Sequence, residues 1–528
     1  MTALHGTGLD QTGPAATRAP LVVPVVPVVL ALAVAVWRGP QLVDDAFITM
    51  RYSFHLAHGH GPVFNIGERI EGFSDPLWML VLAAASLVGL PLPQVALAAG
   101  LLAFLGVVVL STRLAGAVGA GPVAATVAGC LVALSSDLVG SSLNGLETSL
   151  FGLGITATIL VAARDPLPKA WFVLGLLVVA YSRPEGPLLA VVILVVTYVA
   201  RRRWTLETRG LPGLALGILA LLASTLVARW AYYGELLPMS VLAKRDFDTD
   251  PLHSLARAAP DGILYVVRAL GWGWLLLVVL TAVYLALRWR PPTPSARVAA
   301  ALSLVLGAVG VLVTVSNGGD WMPSGRLLVP YLPPLVVLLT VGIETTAPRA
   351  VLPGWALLMA GLQPISTITW VPVPDDYDTV GVRLDEALRS DESVTTNALG
   401  HLGYAAPSLR LFDVHGLTEP EVAKARQDAS VYGKFDAALA GQRADPVIVV
   451  NTWRMLVTIV EEADVSYVAV LSPELERSNA WMAVRTDEAD RVAAALSRSF
   501  DIELVSIDEA TEEWDRIAPS GKSDGGGP

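Results

Sequence analysis

The chain has 528 residues, of which 54% are hydrophobic and only 16% charged. Soluble domains carry about 25% charged residues, so most of this chain is built for lipid. The net charge of −11 divides unevenly, with 29 acidic and 14 basic residues from Pro372 onward against 18 and 22 before it. An acidic tail without a Lys/Arg patch excludes nucleic acid as a partner. The single cysteine, Cys130, excludes an internal disulfide and a cysteine-based metal cluster.

Residues 1–19 are polar and rich in Gly and Pro, and are expected to form a flexible cytoplasmic N-terminus. The apolar run at 21–36 has no small-residue cleavage pattern before Arg38 and reads as a first membrane helix, not a signal peptide. A crossing needs about 20 mostly apolar residues. Runs near 20–38, 94–113, 121–140, 147–163, 170–182, 186–200, 211–230, 262–288, 297–316, 327–343 and 350–370 give about eleven transmembrane helices. Basic residues in short loops stay cytoplasmic. Arg201, Arg202, Arg203 and Arg209, then Arg288, Arg290 and Arg297, then Arg164 and Lys169, therefore face inward. Segments 41–75, 137–147, 182–186, 232–261 and 317–326 and the tail then fall outside. The run 77–90 is too short to cross and is expected along the outer interface, with Trp78 at headgroup depth.

The fold expected is a polytopic α-helical membrane protein whose catalytic domain spans 20–371, with a long first outer loop at 40–75. An extracytoplasmic α/β domain follows at 372–520, and 521–528 is disordered by composition. Short β-branched runs at Val447–Val450, Val465–Val470 and 502–507 alternate with polar helical stretches. Thr418-Glu419-Pro420-Glu421 has capping-box spacing.

Polar residues gather in the outer segments. Asp44 and Asp45 follow the first helix and lead an amphipathic stretch carrying Arg51 and Tyr52, which is expected on the membrane surface. The same loop holds Glu68, Arg69 and Glu71. Glu147 stands at the mouth of a helix, where an ionisable group is costly unless it faces water or a partner. Arg183 and Glu185 interrupt two apolar runs, and Asp320 and Arg326 lie in the densest outer cluster. For Glu147 or Glu185 alone, capping or ion pairing competes with a functional role. His55, His58 and His60 lack metal-ligand spacing and read as loop residues. Such a set suits group transfer at a membrane surface. A carboxylate, Asp44 or Asp45, would deprotonate an acceptor hydroxyl. Arg51, Arg183, Lys244, Arg245 and Arg326, or a metal, would hold a leaving phosphate.

Asp44-Asp45-Ala46-Phe47-Ile48-Thr49-Met50-Arg51-Tyr52 and the glycine-rich stretch from His58 to Gly72 resemble the first outer loop of actinobacterial C-type glycosyltransferases. Within that superfamily the resemblance is to the terminal β-(1→2)-arabinofuranosyltransferase family. Further similar stretches are Gly145-Leu146-Glu147-Thr148, Ser182-Arg183-Pro184-Glu185-Gly186, Leu237-Pro238 through Ala243-Lys244, Gly318-Gly319-Asp320-Trp321-Met322-Pro323 and, in the tail, Asp413 through Pro420. Met239-Ser240 and Met50 depart from the pattern. The resemblance implies transfer of a sugar, arabinofuranose, from a polyprenyl-phosphate donor to an extracytoplasmic cell-wall polysaccharide. It implies inversion, and the catalytic pair maps onto Asp44 and Asp45; of the two, Asp44 is slightly favoured as the base because it is nearer the membrane and the donor headgroup. Substrate-binding candidates are Arg51, Tyr52, Glu71, Glu147, Arg183, Glu185, Lys244, Asp320 and Arg326. No cofactor is certain, and a divalent cation stays open. The protein would lie in the plasma membrane among its lipids, with the tail seating the acceptor through Trp453, Trp481, Tyr404, Tyr432, Asp413 and His415. A lipid-linked substrate transporter or flippase, or a non-catalytic envelope assembly protein, remains the alternative.

Overall fold

The computed structural model describes residues 24–243, 251–320, 322, 325–363, 376–389, 391–424, 445–450, 465–470, 481–485, 489–500 and 505–506. Lys244, Arg245, Trp321, Tyr432 and Trp453 lie outside the described residues.

The apolar runs fold as helices in chain order. These are α1 (Val25–Arg38), α2 (Asp44–Ala57), α3 (Pro76–Leu87), α4 (Leu92–Ala117), α5 (Pro122–Ala133), α6 (Ser136–Ser142), α7 (Thr148–Ala162), α8 (Lys169–Ser182), α9 (Gly186–Arg203) and α10 (Leu211–Tyr233). After them come α11 (Met239–Leu242), α12 (Pro251–Leu270), α13 (Trp272–Arg288), α14 (Pro294–Ser316), a 3-10 turn (Val329–Tyr331), α15 (Leu332–Thr346) and α16 (Val351–Gly361).

Among the described residues, four segments are long and apolar enough to cross a membrane: α4, α10, α14, and the 3-10 turn with α15. Two bent pairs raise the number to six. Two expected single spans are therefore broken. The 121–140 run bends by 61° between α5 and α6, and the 262–288 run bends by 91° between α12 and α13. The second break falls at Gly271, whose φ of +68° is open to a residue without Cβ. The other five expected crossings coincide with α1, α7, α8, α9 and α16. Of these, α9 ends in three arginines and the rest are shorter apolar helices. The bundle packs around α7, where Phe151, Ile155 and Ile159 meet Phe172 and Leu176 of α8, Leu189 and Ile193 of α9, and Leu302 of α14.

The tail forms α17 (Asp376–Ala387), β1 (Ser393–Thr396), α18 (Leu399–Ala405), β2 (Arg410–Asp413), α19 (Pro420–Lys424), β3 (Val447–Val450), β4 (Val465–Val470), β5 (Trp481–Arg485), α20 (Ala489–Phe500) and β6 (Val505–Ser506). Its sheet runs β2-β1-β3-β5-β4-β6, with β1 parallel to both β2 and β3 and the remaining pairs antiparallel. The expected strand runs at Val447–Val450 and Val465–Val470 and the helix start at Pro420 appear in place, and of the run expected at 502–507 only Val505–Ser506 lies within the described residues, as β6.

Two placements differ from expectation. Trp78 is not at headgroup depth: it is 1% exposed, and its indole N–H donates to the Gly145 carbonyl at 3.0 Å. The outward side of α3 instead shows Leu80, Val81 and Leu87. Nor does α2 lie on a surface, since every residue from Ala46 to Ser53 is buried. Successive residues of a helix point about 100° apart, so positions 44, 48, 51 and 55 share one stripe. That stripe docks on the tail. Ile48 joins Tyr52, Phe64, Phe73 and Met79 in one core with Val394, Leu402, Leu411, Val447 and Leu496.

Arg51 anchors the joint. Its Nε–H donates to the Phe64 carbonyl and its Nη1–H to that of Gly403, both at 2.8 Å, and further donors reach Ala406, Pro407 and Leu409. Asn65 seals the edge of β2, donating to the Leu411 carbonyl at 2.9 Å and accepting its N–H at 3.1 Å. Arg51→Met keeps the stem but leaves several buried carbonyls unpaired, each worth about 1–3 kcal/mol. The unfolding temperature of the detergent-purified protein should fall by about 5 °C or more. An unchanged transition would show that the joint is dispensable.

Candidate functional site

The start of α2 sends its two acids in different directions. Its N-cap, Val43, contributes no side-chain hydrogen bond. Asp44 turns toward the tail, where Oδ2 accepts the Gly400 N–H and Oδ1 the His401 N–H, each at 2.9 Å. Asp45 turns toward the bundle. Its Oδ2 lies 3.6 Å from Nη2 of Arg326, and its side chain is 26% exposed against 17% for Asp44. Arg326 also donates from Nε to Asp320, which is buried.

A second cluster faces this one. Arg183, at the turn between α8 and α9, donates from Nε to Glu185 at 2.7 Å and from Nη1 to Glu147 at 3.2 Å. It lies 5.6 Å from the Phe151 ring centre. The two clusters share a field. Burial opposes the Arg326 cation, but Asp320, Asp45 and Glu147 outweigh it and hold the guanidinium charged more firmly than an ordinary arginine. Asp45, Glu147, Arg183, Glu185, Asp320 and Arg326 are thus brought together.

The structure also brings in residues that sequence reasoning passed over. Asp75, immediately before α3, is buried with both carboxyl oxygens 3.1–3.2 Å from the Thr49 hydroxyl. Thr49 is one turn after Asp45, so the two acids flank one helix face. Burial, followed by the Glu147 charge, pushes the Asp75 carboxyl well above the usual carboxylate range. His401 sits beside Asp44. The pair Asp75-Pro76 is a helix-start signal that could have drawn attention to Asp75. No local pattern marks His401.

Three predicted site residues have other work. The Arg51 guanidinium is engaged by backbone carbonyls, so it is a staple and not a phosphate partner. The buried Tyr52 hydroxyl donates to the Ile70 carbonyl at 2.7 Å and accepts the Gly72 N–H at 2.8 Å, which shapes the loop. Glu71 accepts both Nε and Nη2 of Arg229, at 2.6 and 3.1 Å, which ties the loop to the end of α10. Lys244 lies outside the described residues.

Of the expected acceptor-seating groups, Asp413 is buried, with its carboxylate accepting the N–H groups of His415 and Leu417. It is a turn-former and not a free ligand. Tyr404 packs near Phe47, with ring centres 5.6 Å apart. The His55 ring is held by the carbonyls of Val63 and Pro407, each at 2.9 Å. Among the described residues, no three His, Cys, Asp or Glu side chains converge as a metal site.

The fold has likenesses among solved structures. The crystal structure of ArnT from Cupriavidus metallidurans bound to undecaprenyl phosphate matches with a TM-score of 0.54 at 13% identity, over 88% of this chain and 98% of that one. The apo structure of the same protein gives 0.50 at 14% identity, over the same shares of the two chains. The chain has the ArnT fold. By sequence it is similar to two curated proteins named terminal beta-(1->2)-arabinofuranosyltransferase. That of Mycobacterium tuberculosis is 34% identical over 226 residues, which is 39% of this chain and 35% of that protein. That of Corynebacterium glutamicum is 27% identical over 386 residues, or 64% and 52%. The chain thus spans between about a third and about half of the length of these relatives. Residues 370–505 match the family model described as Domain of unknown function (DUF8728).

The Asp75 shift has a measurable sign. A carboxyl whose folded pKa is raised adds stability that is complete below the ordinary carboxylate range. That stability is lost as pH rises through the folded titration. Asp75→Asn, a close match to the neutral acid, should flatten the decline of the unfolding temperature on the alkaline side. Parallel declines in wild type and variant would mean that Asp75 is ionised throughout.

Proposed function

We propose that this protein is an inverting, polyprenyl-phosphate-sugar-dependent glycosyltransferase that acts at the outer face of the plasma membrane on a cell-wall polysaccharide. The observation that carries the reading is the divergence of Asp44 and Asp45. One is taken up by the tail, and the other is a partly exposed carboxylate beside a half-buried arginine, within an ArnT-like fold. Asp45, and not Asp44, is then the general base. It takes the proton of the acceptor hydroxyl as that oxygen attacks the anomeric carbon and the bond from that carbon to the phosphate oxygen breaks. A single displacement of this kind inverts the anomeric centre. The polyprenyl phosphate leaves with the electron pair, and Arg326 and Arg183 are the cations placed to meet it.

The similarity to two arabinofuranosyltransferases makes arabinofuranose the transferred sugar in this reading. The charge balance adds a requirement. With Asp75 neutral, Asp45, Glu147, Glu185 and Asp320 outnumber Arg183 and Arg326 by two. A phosphate needs further positive charge here, which Lys244, Arg245 or a divalent cation would supply. The eleven-crossing topology, with an inner N-terminus, puts this cluster and the tail outside. A transporter fits less well, because the ion pairs stand at helix ends and between helices, not within the spans.

Asp45→Asn should lower transfer from a synthetic polyprenyl-phosphate arabinofuranose by about 10²–10⁴-fold, as loss of a general base does, with unfolding temperature unchanged. Near-normal turnover in that variant would remove Asp45 from the mechanism. Orientation is tested separately. In a Cys130→Ser background, Gly59→Cys should react with an impermeant thiol reagent on intact cells and Thr205→Cys should not. The reverse pattern would invert the topology.

A further inference from the structure

The first turn of α2 has no cap of its own, yet it must aim Asp45 at Arg326. What fixes it comes from 356 and 357 residues along the chain. Besides the two amide hydrogen bonds to Asp44, the His401 ring places Nδ1 3.2 Å from Asp44 Oδ1. Because a carboxylate can only accept, the Nδ1–H tautomer is the one that fits. That ring is also held by Phe47, with ring centres 3.8 Å apart and planes inclined at 39°. Contact is so close that a Cβ on Gly400 would fall 1.9 Å from the Asp44 carbonyl oxygen. Position 400 therefore accepts only glycine without moving α2. His401 is buried, and so is Phe47, so neither serves as an exposed contact for solvent.

We propose that His401 is a positioning residue for the base: by gripping the Asp44 carboxylate it sets the rotation of the first turn of α2 and hence the aim of Asp45. Asp44 then acts through its neighbour and does not touch substrate. This rests on the reading of Asp45 as general base. Rotation of that turn would move the Asp45 carboxylate by about an ångström, a displacement that can cost about 10²-fold in rate.

Two substitutions in the full-length purified protein separate positioning from bulk packing. His401→Leu keeps volume but loses the ring N–H. His401→Asn loses the ring but can place an amide N–H where Nδ1 stood. With a synthetic polyprenyl-phosphate arabinofuranose and an arabinofuranose oligosaccharide, His401→Leu should lower kcat about 10- to 100-fold while the donor KM stays within about twofold. His401→Asn should recover to within about threefold of wild type. Equal losses in Leu and Asn, or no loss in Leu, overturn the proposal. Hydrogen exchange of the peptide covering residues 43–50 gives a readout free of activity. Exchange should accelerate in His401→Leu and return toward wild type in His401→Asn, and unchanged exchange in Leu overturns the proposal whatever the kinetics. A wild-type protein inactive with this donor would instead defeat the donor assignment, leaving the exchange experiment to decide the role of His401.

Discussion

Everything at this site depends on one helical stripe. Asp44, Ile48, Arg51 and His55 recur at the spacing that lines one face of α2, and all four are committed to the tail. The guanidinium of Arg51 is the most demanding member, because a buried cation is tolerable only when its donors are matched. Carbonyls of Phe64, Gly403 and Leu409 match them, so the loop between α2 and α3 and the segment from α18 to β2 hold one another in place. With that face committed, the adjacent one is left to carry Asp45 and Thr49 toward the bundle. The direction of the Asp45 carboxylate is therefore a by-product of how the neighbouring face of its helix is buried.

The second constraint is electrostatic. Arg183 and Arg326 each stand between two carboxylates, and both are shielded from water. Such pairs are worth little as stabilisers, since desolvation offsets most of the attraction. Their value lies in rigidity: a guanidinium clamped by two acids keeps its position before a substrate arrives. The upward push on the Asp75 carboxyl, which burial causes first and Glu147 second, serves the same arrangement. Were that carboxyl ionised beside Glu147, the cluster would hold one more buried anion competing for Arg326.

Much of the membrane part was legible because apolar runs and arginine-rich loops are direct consequences of solvation, and most expected runs became helices. The two broken spans were not legible. Gly271 ends a helix through its backbone conformation, and a hydropathy window counts it as one more small residue. Of the site, the ionisable residues could be named, but their partition could not. Asp44 and Asp45 are chemically identical in the sequence, and only the 100° step between helix neighbours tells them apart once partners are known. Arg51 looked like a phosphate ligand for a similar reason. Its partners are carbonyls, which no side-chain pattern records. Asp75 and His401 were missed because their significance arises from contacts with Thr49 and Asp44, the second of them across most of the chain.

The same geometry changes what the tail is for. A domain that merely seated an acceptor would turn its polar groups outward and touch the bundle lightly. Here Asp413 is turned into its own loop. Val394 of β1 and Val447 of β3 share a core with Ile48, Tyr52 and Phe64, so one side of the sheet is fastened to α2 and the loop that follows it. Cutting the tail away would uncover that apolar stripe and leave the Arg51 guanidinium without the carbonyls of Gly403 and Leu409. The first turn of α2 would lose the amides of Gly400 and His401 in the same stroke. Loss of activity on truncation would therefore say nothing about acceptor binding, because Asp45 loses its support whether or not the tail ever meets a glycan.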